Sequence, residues 1–212
     1  MTRWLDPDQV PDLLRPGSTL FCPGGTGEPK LLWQALRRRP DCLQDVHVID
    51  LRLPGFRSES YDGLPCRVTS CFLTRELAGA WKRDQLRFVP LHYRDTWDWL
   101  RSLTFDLALI EVTPPDSQGR VSHGLTCDFV PAILDRARVL VAQANSALPD
   151  PPGSPRFALD QIDYAVEVEQ APPSPEPGPL DDASRQIADR VAELVPDGAC
   201  LQTGIGALPG AV

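Results

Sequence analysis

Two glycine-rich runs have the composition to hold an anion: Gly24-Gly25-Thr26-Gly27-Glu28-Pro29 and Gly204-Ile205-Gly206-Ala207-Leu208-Pro209. A short strand, a glycine loop and a proline at a helix start together aim backbone N–H groups at a phosphate or at a developing oxyanion. Neither run is a nucleotide fingerprint. The second has its third glycine displaced from the dinucleotide spacing, and the first lacks the adjoining Gly-Lys-Ser/Thr of a P-loop. A third run, from Thr113 to Gly124, holds Pro114, Pro115, Asp116, Gly119, Ser122 and His123 directly after the apolar stretch Phe105–Thr113. Its prolines and glycines make it a shaped loop, in which Asp116 and Ser122 suit either a ligand or the capping of local backbone. Of the three histidines, at 47, 92 and 123, only His123 is placed to meet a ligand. No Gly-x-Ser-x-Gly elbow marks a serine nucleophile. The tightest cysteine pair, Cys66-x4-Cys71, has no matching second pair to complete a metal site.

The elements that would position these runs alternate in period. Ser18 to Cys22 reads as a strand, Pro29 to Arg39 as a helix with Leu32, Ala35 and Leu36 on one face, and Val46 to Leu51 as a second strand. Helical patterns over 74–83, 95–103 and 129–136 alternate with strand patterns over 86–90, 105–113 and 139–144. The near-continuous apolar run at 105–113 fits a strand buried on both faces of a parallel sheet. Residues 54–71 break the rhythm and read as an excursion or hairpin from the sheet. This pattern predicts an α/β fold with an open, mainly parallel sheet flanked by helices.

Five prolines in the nine residues 171–179 predict a stiff connector. The expected organisation is an N-terminal domain over 1–171, a linker over 172–179, and the start of a second similar α/β domain over 180–212. That second unit would hold an amphipathic helix over 180–195 and a short strand after the Asp197-Gly198 turn. A weak internal repeat supports the division, because Pro16–Pro29 and Pro196–Pro209 share a layout of turn, strand, glycine loop and proline, 180 positions apart.

A hydrophobic content of 42% with 24% charged residues argues against disorder of the whole chain, and a net charge of -8 argues against a nucleic-acid or anionic-membrane partner. The N-terminus lacks the apolar core of a signal peptide, and no later run has the ~18 apolar residues of a membrane span. The expectation is a soluble, cytoplasmic protein whose six cysteines are reduced and mostly buried.

In order, the motifs resemble those of the acetyl-CoA hydrolase and 4-hydroxybutyrate CoA-transferase family, within the class I CoA-transferases. The matching pieces are Gly-x-Gly-x-Pro at Gly25 to Pro29, Thr-Pro-Pro-Asp-x-x-Gly-x-x-Ser-x-Gly at Thr113 to Gly124, and Asn145 closing a strand. Ile162-Asp163-Tyr164 and Gly-Ile-Gly-Ala-Leu-Pro at Gly204 to Pro209 complete the set. The resemblance implies two similar open α/β domains with the active site between them. A glutamate of the second domain would attack an acyl-CoA, giving an acyl–glutamyl anhydride and then a glutamyl-CoA thioester, before CoA passes to a small carboxylate or to water. That glutamate would lie beyond Val212, so no catalytic side chain is assigned here and the chain alone is expected to be inactive. Coenzyme A enters as substrate, with no separate cofactor and no metal. Substrate or CoA contacts carry over to Gly25, Gly27, Pro114, Pro115, Asp116, Ser122, Asn145, Gly204, Ile205, Gly206, Ala207 and Leu208, and the full-length protein is expected to form a homo-oligomer. The rival reading is a non-catalytic fragment or degenerate paralogue that keeps only CoA or partner binding. A sugar-phosphate isomerase or deaminase on a related fold is disfavoured, because no acidic/His pair accompanies the glycine loops. The chain departs from the family at Gln143, where Glu is common two residues before the asparagine, and at His123, where a small or apolar residue is usual. Residues 55–87 match only loosely.

Overall fold

The computed structural model describes residues 1–212 apart from 54–55, 57–58, 175–178 and 205. Gly55 of the expected excursion, the middle of the proline-rich connector and Ile205 therefore lie outside the described residues. In chain order the elements are β1 (Arg3–Trp4), β2 (Thr19–Pro23), α1 (Lys30–Arg38), β3 (His47–Leu51), β4 (Arg67–Ser70), α2 (Ala78–Lys82) and β5 (Leu86–Phe88). They continue as α3 (Tyr93–Arg101), β6 (Leu107–Val112), β7 (Arg120–Ser122), α4 (Val130–Ile133), β8 (Leu140–Asn145), β9 (Arg156–Ala158), β10 (Tyr164–Val168) and α5 (Asp182–Ala192).

Eight strands form one sheet in the order β1-β10-β8-β6-β2-β3-β4-β5, with every pairing parallel. The fold is the expected open parallel sheet flanked by helices. A short antiparallel pair, β7 with β9, stands apart. From β2 the chain builds outward through β3 and β4 to β5, then returns to the other side of β2 to lay down β6 and β8. The winding direction thus reverses between β2 and β6.

Alternate residues of each central strand enter opposite cores. Leu107 and Leu109 of β6 pack with α1 residues Leu32, Trp33 and Leu36, whereas Ala108, Ile110 and Val112 pack with Leu100 of α3 and Val130 and Ile133 of α4. With helices on both faces, every residue of β6 and of β8 is buried, which is why both sequences are mainly apolar, with Glu111, Gln143 and Asn145 as the polar residues toward their C-terminal ends. Among the described residues no helix is long and apolar enough to cross a membrane.

Several expectations need correction. The stretch 54–71 is not wholly an excursion, since Arg67–Ser70 is β4 and pairs in parallel with β3. The helix expected over 129–136 is α4, four residues long. Its C-terminal side is drawn into the sheet, where Phe105 N–H donates to Arg136 O (2.9 Å) and Arg138 N–H donates to Phe105 O (2.8 Å). The strand expected after Gly198 is not formed, although the equivalent turn of the first repeat leads into β2. A strand is stabilised by neighbours to pair with; β2 has β3 and β6, whereas residues 199–204 have none. Three of the six cysteines, Cys22, Cys66 and Cys71, are buried; Cys42 and Cys127 are half-buried and Cys200 is exposed, all as free thiols.

Candidate functional site

Because the sheet is parallel, the C-terminal ends of its strands share one edge, and the reversal between β2 and β6 opens a crevice there. The first glycine run caps this point. A Cβ on Gly24 would lie 2.8 Å from Arg52 Cα and closer still to Leu51 O, so only glycine lets the end of β2 press against the end of β3. Gly25, at φ +64°, starts a 3-10 turn over Gly25–Gly27, and both glycines are buried. The Thr26 hydroxyl meets that of Thr126. Gly24, Gly27, Leu53, Thr126, Asp128 and Phe129 line the narrow crevice between the two loops.

The first turn of α1, however, does not offer all of its N–H groups to a ligand. Pro29 at the N-cap has no capping side chain, and Gln143 reaches over from β8 instead. Its Oε1 accepts from Leu31 N–H (2.9 Å) and Leu32 N–H (3.3 Å). The expectation that this helix start aims those N–H groups at an anion is therefore corrected: they are used within the fold.

Gln143 belongs to a row of buried polar groups along the same edge. Asp50, near the end of β3, accepts from Arg52 Nε (2.6 Å), Arg52 N–H (2.9 Å) and Tyr61 OH (2.5 Å). The Arg52 guanidinium lies 4.6 Å from the Tyr61 ring centroid. Burial, and then the Asp50 charge, push the Tyr61 hydroxyl well above its usual range. Burial followed by the charges of Asp50 and Glu28 does the same to the Cys22 thiol, which is thereby inert at neutral pH. Across the crevice, Glu111 of β6 is the register partner of Gln143 and is only 4% exposed. One of its oxygens accepts from Asn145 Nδ2 (2.7 Å), while Oε2 is buried without a hydrogen-bond partner. Burial raises its pKa to about 8, against the opposing pull of the Asn145 hydrogen bond. Glu111 is the residue the motif reading missed. A single acid inside the apolar run Leu107–Val112 was its visible signal.

The residues singled out from sequence fall into three groups. Gly25, Gly27 and Asn145 stand at the strand C-terminal edge, where Asn145 also donates to Gln170 O (2.7 Å) and accepts from Gln170 N–H (3.0 Å). Pro114 and Pro115 leave β6 at the same edge and line an open groove with Trp4, Ser146 and Glu167. Asp116 and Ser122 are occupied locally. Asp116 accepts from the N–H groups of Gln118 and Arg120 (both 2.9 Å) and pairs with the Arg120 side chain, while Ser122 Oγ accepts from Gly124 N–H (3.0 Å). His123 is not open to solvent, and among the described residues its Nδ1 is buried without a hydrogen-bond partner. It is buried against Phe157, with ring centroids 4.9 Å apart, and burial lowers its pKa to about 4. Gly206, Ala207 and Leu208 lie in a turn closed by Gly210 N–H to Gly206 O (3.2 Å), and Gly204 precedes it in irregular backbone; among the described residues the hydrogen bonds of 200–212 stay within that segment.

The family model of the acetyl-CoA hydrolase/transferase N-terminal domain matches residues 2–173. The chain belongs to this family. It is 32% identical to the succinyl-CoA:acetate/propanoyl-CoA:succinate CoA transferase of Fasciola hepatica, over 97% of this chain and 44% of that protein. It is 28% identical to the 4-hydroxybutyrate coenzyme A transferase of Clostridium kluyveri, over 88% of this chain and 44% of that protein. The chain thus spans about half the length of these relatives. The RipA crystal structure from Yersinia pestis superposes with a TM-score of 0.80 at 23% identity, covering 98% of this chain and 52% of RipA, a likeness of fold.

Proposed function

We propose that this chain is the N-terminal part of an enzyme that moves coenzyme A from an acyl-CoA to a small carboxylate, or to water, by way of a glutamyl-CoA thioester. The family match over residues 2–173 carries this reading. The edge geometry supports it, since a glycine loop, two proline-shaped exits and Asn145 converge where an open α/β sheet takes its ligands. The attacking glutamate is assigned to sequence beyond these residues. Of the carboxyl groups whose partners are defined at this edge, Asp50 is committed to Arg52 and Tyr61, and burial biases Glu111 toward its neutral form, which disfavours it as the nucleophile. In this reading residues 1–171 form one wall of the site, 172–179 connect, and the backbone of Gly204 to Leu208 supplies oxyanion or CoA contacts once the second domain is complete. A carboxylate is a modest nucleophile, so its attack on a thioester depends on such donors.

The experiment is an assay of free CoA and of new thioesters, with acetyl-CoA and a panel of carboxylates, on the 212-residue chain and on a chain extended through a second domain. Turnover by the extended protein alone is the expected result. Turnover by the 212-residue chain, persisting after repurification, would overturn the assignment of the nucleophile.

A further inference from the structure

The two faces of the sheet are not covered equally. The connections from β2 to β3 and from β4 to β5 place α1 and α2 on one face, where Val48, Val68 and Leu86 meet Leu36, Leu77 and Ala80. The other face receives α3 and α4, but these pack over β2, β6 and β8. At the outer strands that second face opens toward the strand starts, where Arg67 and Arg87 are exposed and His47 is half-buried, while Thr69 and Ile49 stay buried. There the sequence places His47, Arg67, Thr69 and Arg87, side by side through the registers His47↔Arg67 and Thr69↔Arg87. Although α2 packs on the opposite face, its Trp81, 52% exposed, lines the same concave surface at the starts of β4 and β5, together with Gln85, Asp84 and Leu86.

A parallel sheet is ordinarily covered on both faces. Here the uncovered part carries like charges. Among the described residues neither Arg67 nor Arg87 has an ion-pair partner or a side-chain hydrogen bond. His47 is held by Thr69 Oγ1 at 2.8 Å, and its proton affinity is lowered by burial and then by both arginines, so the three groups share one positive field. Among the described residues Asp84 is the one acidic group lining the groove. In a chain of net charge -8, two unpaired guanidinium groups converging in a groove beside an exposed indole are a local inversion of the surface field. His47 and Arg67 open their strands, so the groove sits at the opposite end of the sheet from the Gly24–Gly27 loop.

We propose that this groove binds the phosphate groups of a small nucleotide-like anion, with Arg67 and Arg87 on the phosphates and Trp81 against the ring. The site is independent of the acyl-CoA reading. Calorimetric titration of the 212-residue chain at low salt, with pyrophosphate and with ADP, tests it. Pyrophosphate is expected to bind, and Arg67→Gln and Arg87→Gln are each expected to weaken it by roughly ten- to a hundredfold, the range of a charge-assisted contact. ADP is expected to bind about tenfold tighter than pyrophosphate, with Trp81→Ala erasing the difference, as base stacking requires. Arg75→Gln, an exposed arginine outside the groove, is expected to change nothing. Absence of binding by both probes at millimolar concentration would overturn the proposal. So would affinities that survive both groove substitutions, or an equal loss in Arg75→Gln.

Discussion

Glu111 couples the candidate site to pH. In the unfolded chain its carboxyl ionises near 4.5, whereas in the fold burial holds it to about 8, so the folded state binds the extra proton between those values. Stability is therefore expected to fall as pH rises from 4.5 to 8, by up to about 5 kcal/mol, and to level off above. Denaturant unfolding across that window should show the slope, and Glu111→Gln should flatten it; an unchanged slope in the variant would place the charge elsewhere. His123 acts in the opposite sense. Its folded pKa of about 4 lies below the ordinary 6.5, so its contribution is present above 6.5 and is lost as pH falls toward 4. A neutral imidazole packed on Phe157 avoids burying a charge there, although among the described residues its Nδ1 is buried without a hydrogen-bond partner. Gly24→Ala should cost about 2 kcal/mol or more on melting, because its Cβ would strike backbone that cannot rotate away. At this scale the special residue types were legible, the glycines above all. Their partners were not: nothing local in the sequence says that Gln143 caps a helix more than a hundred residues earlier or that Glu111 holds Asn145.

For single elements, hydrophobic period was a sound guide where packing reinforced it. β2, β3, β6 and β8 formed within a residue or two of expectation, because each is enclosed by neighbours on both sides. Period failed where tertiary pairing decided the outcome. The four-residue β4, framed by Pro65 and Cys71, was too short to show alternation, and the end of the α4 segment was claimed by sheet bonds to Phe105. The strand expected after Gly198 had the composition but no partner. Two element-level outcomes follow. Gln143→Ala should cost about 1–2 kcal/mol, since among the described residues it removes the only side-chain acceptor at the start of α1 and leaves the amides of Leu31 and Leu32 unpaired. Equilibrium unfolding measures this, and a loss below a few tenths would mean that water replaces the cap. In α5, Ile187 and Val191 are exposed, as is Leu194 just beyond its end. Its amides should exchange with solvent orders of magnitude faster than those of β6 in native-state hydrogen exchange, and comparable protection would show that α5 packs against the sheet.

The whole molecule is a parallel sheet whose winding reverses between β2 and β6, a topology that gathers the glycine loop, the β6 exit and Asn145 at one edge without any of them being close in sequence. The alternation of strand and helix patterns made this architecture legible, and the order of motifs made the family legible. The distribution of charge over the sheet faces was not, because face exposure follows from which crossovers cover which strands. In the proposed reaction this part of the protein serves CoA transfer between acyl groups at that edge, completed by a second domain. The most direct measurement is label exchange: acetyl-CoA and isotopically labelled acetate incubated with the chain extended through a second domain, with the label followed into the thioester beside release of free CoA. The account expects turnover by the extended protein, none by residues 1–212, and a loss of roughly 10²–10³ in kcat for Gly206→Ala with little change in melting, as removal of an oxyanion contact entails. An extended protein that neither exchanges label nor releases CoA, or a Gly206→Ala variant that retains full activity, would contradict it.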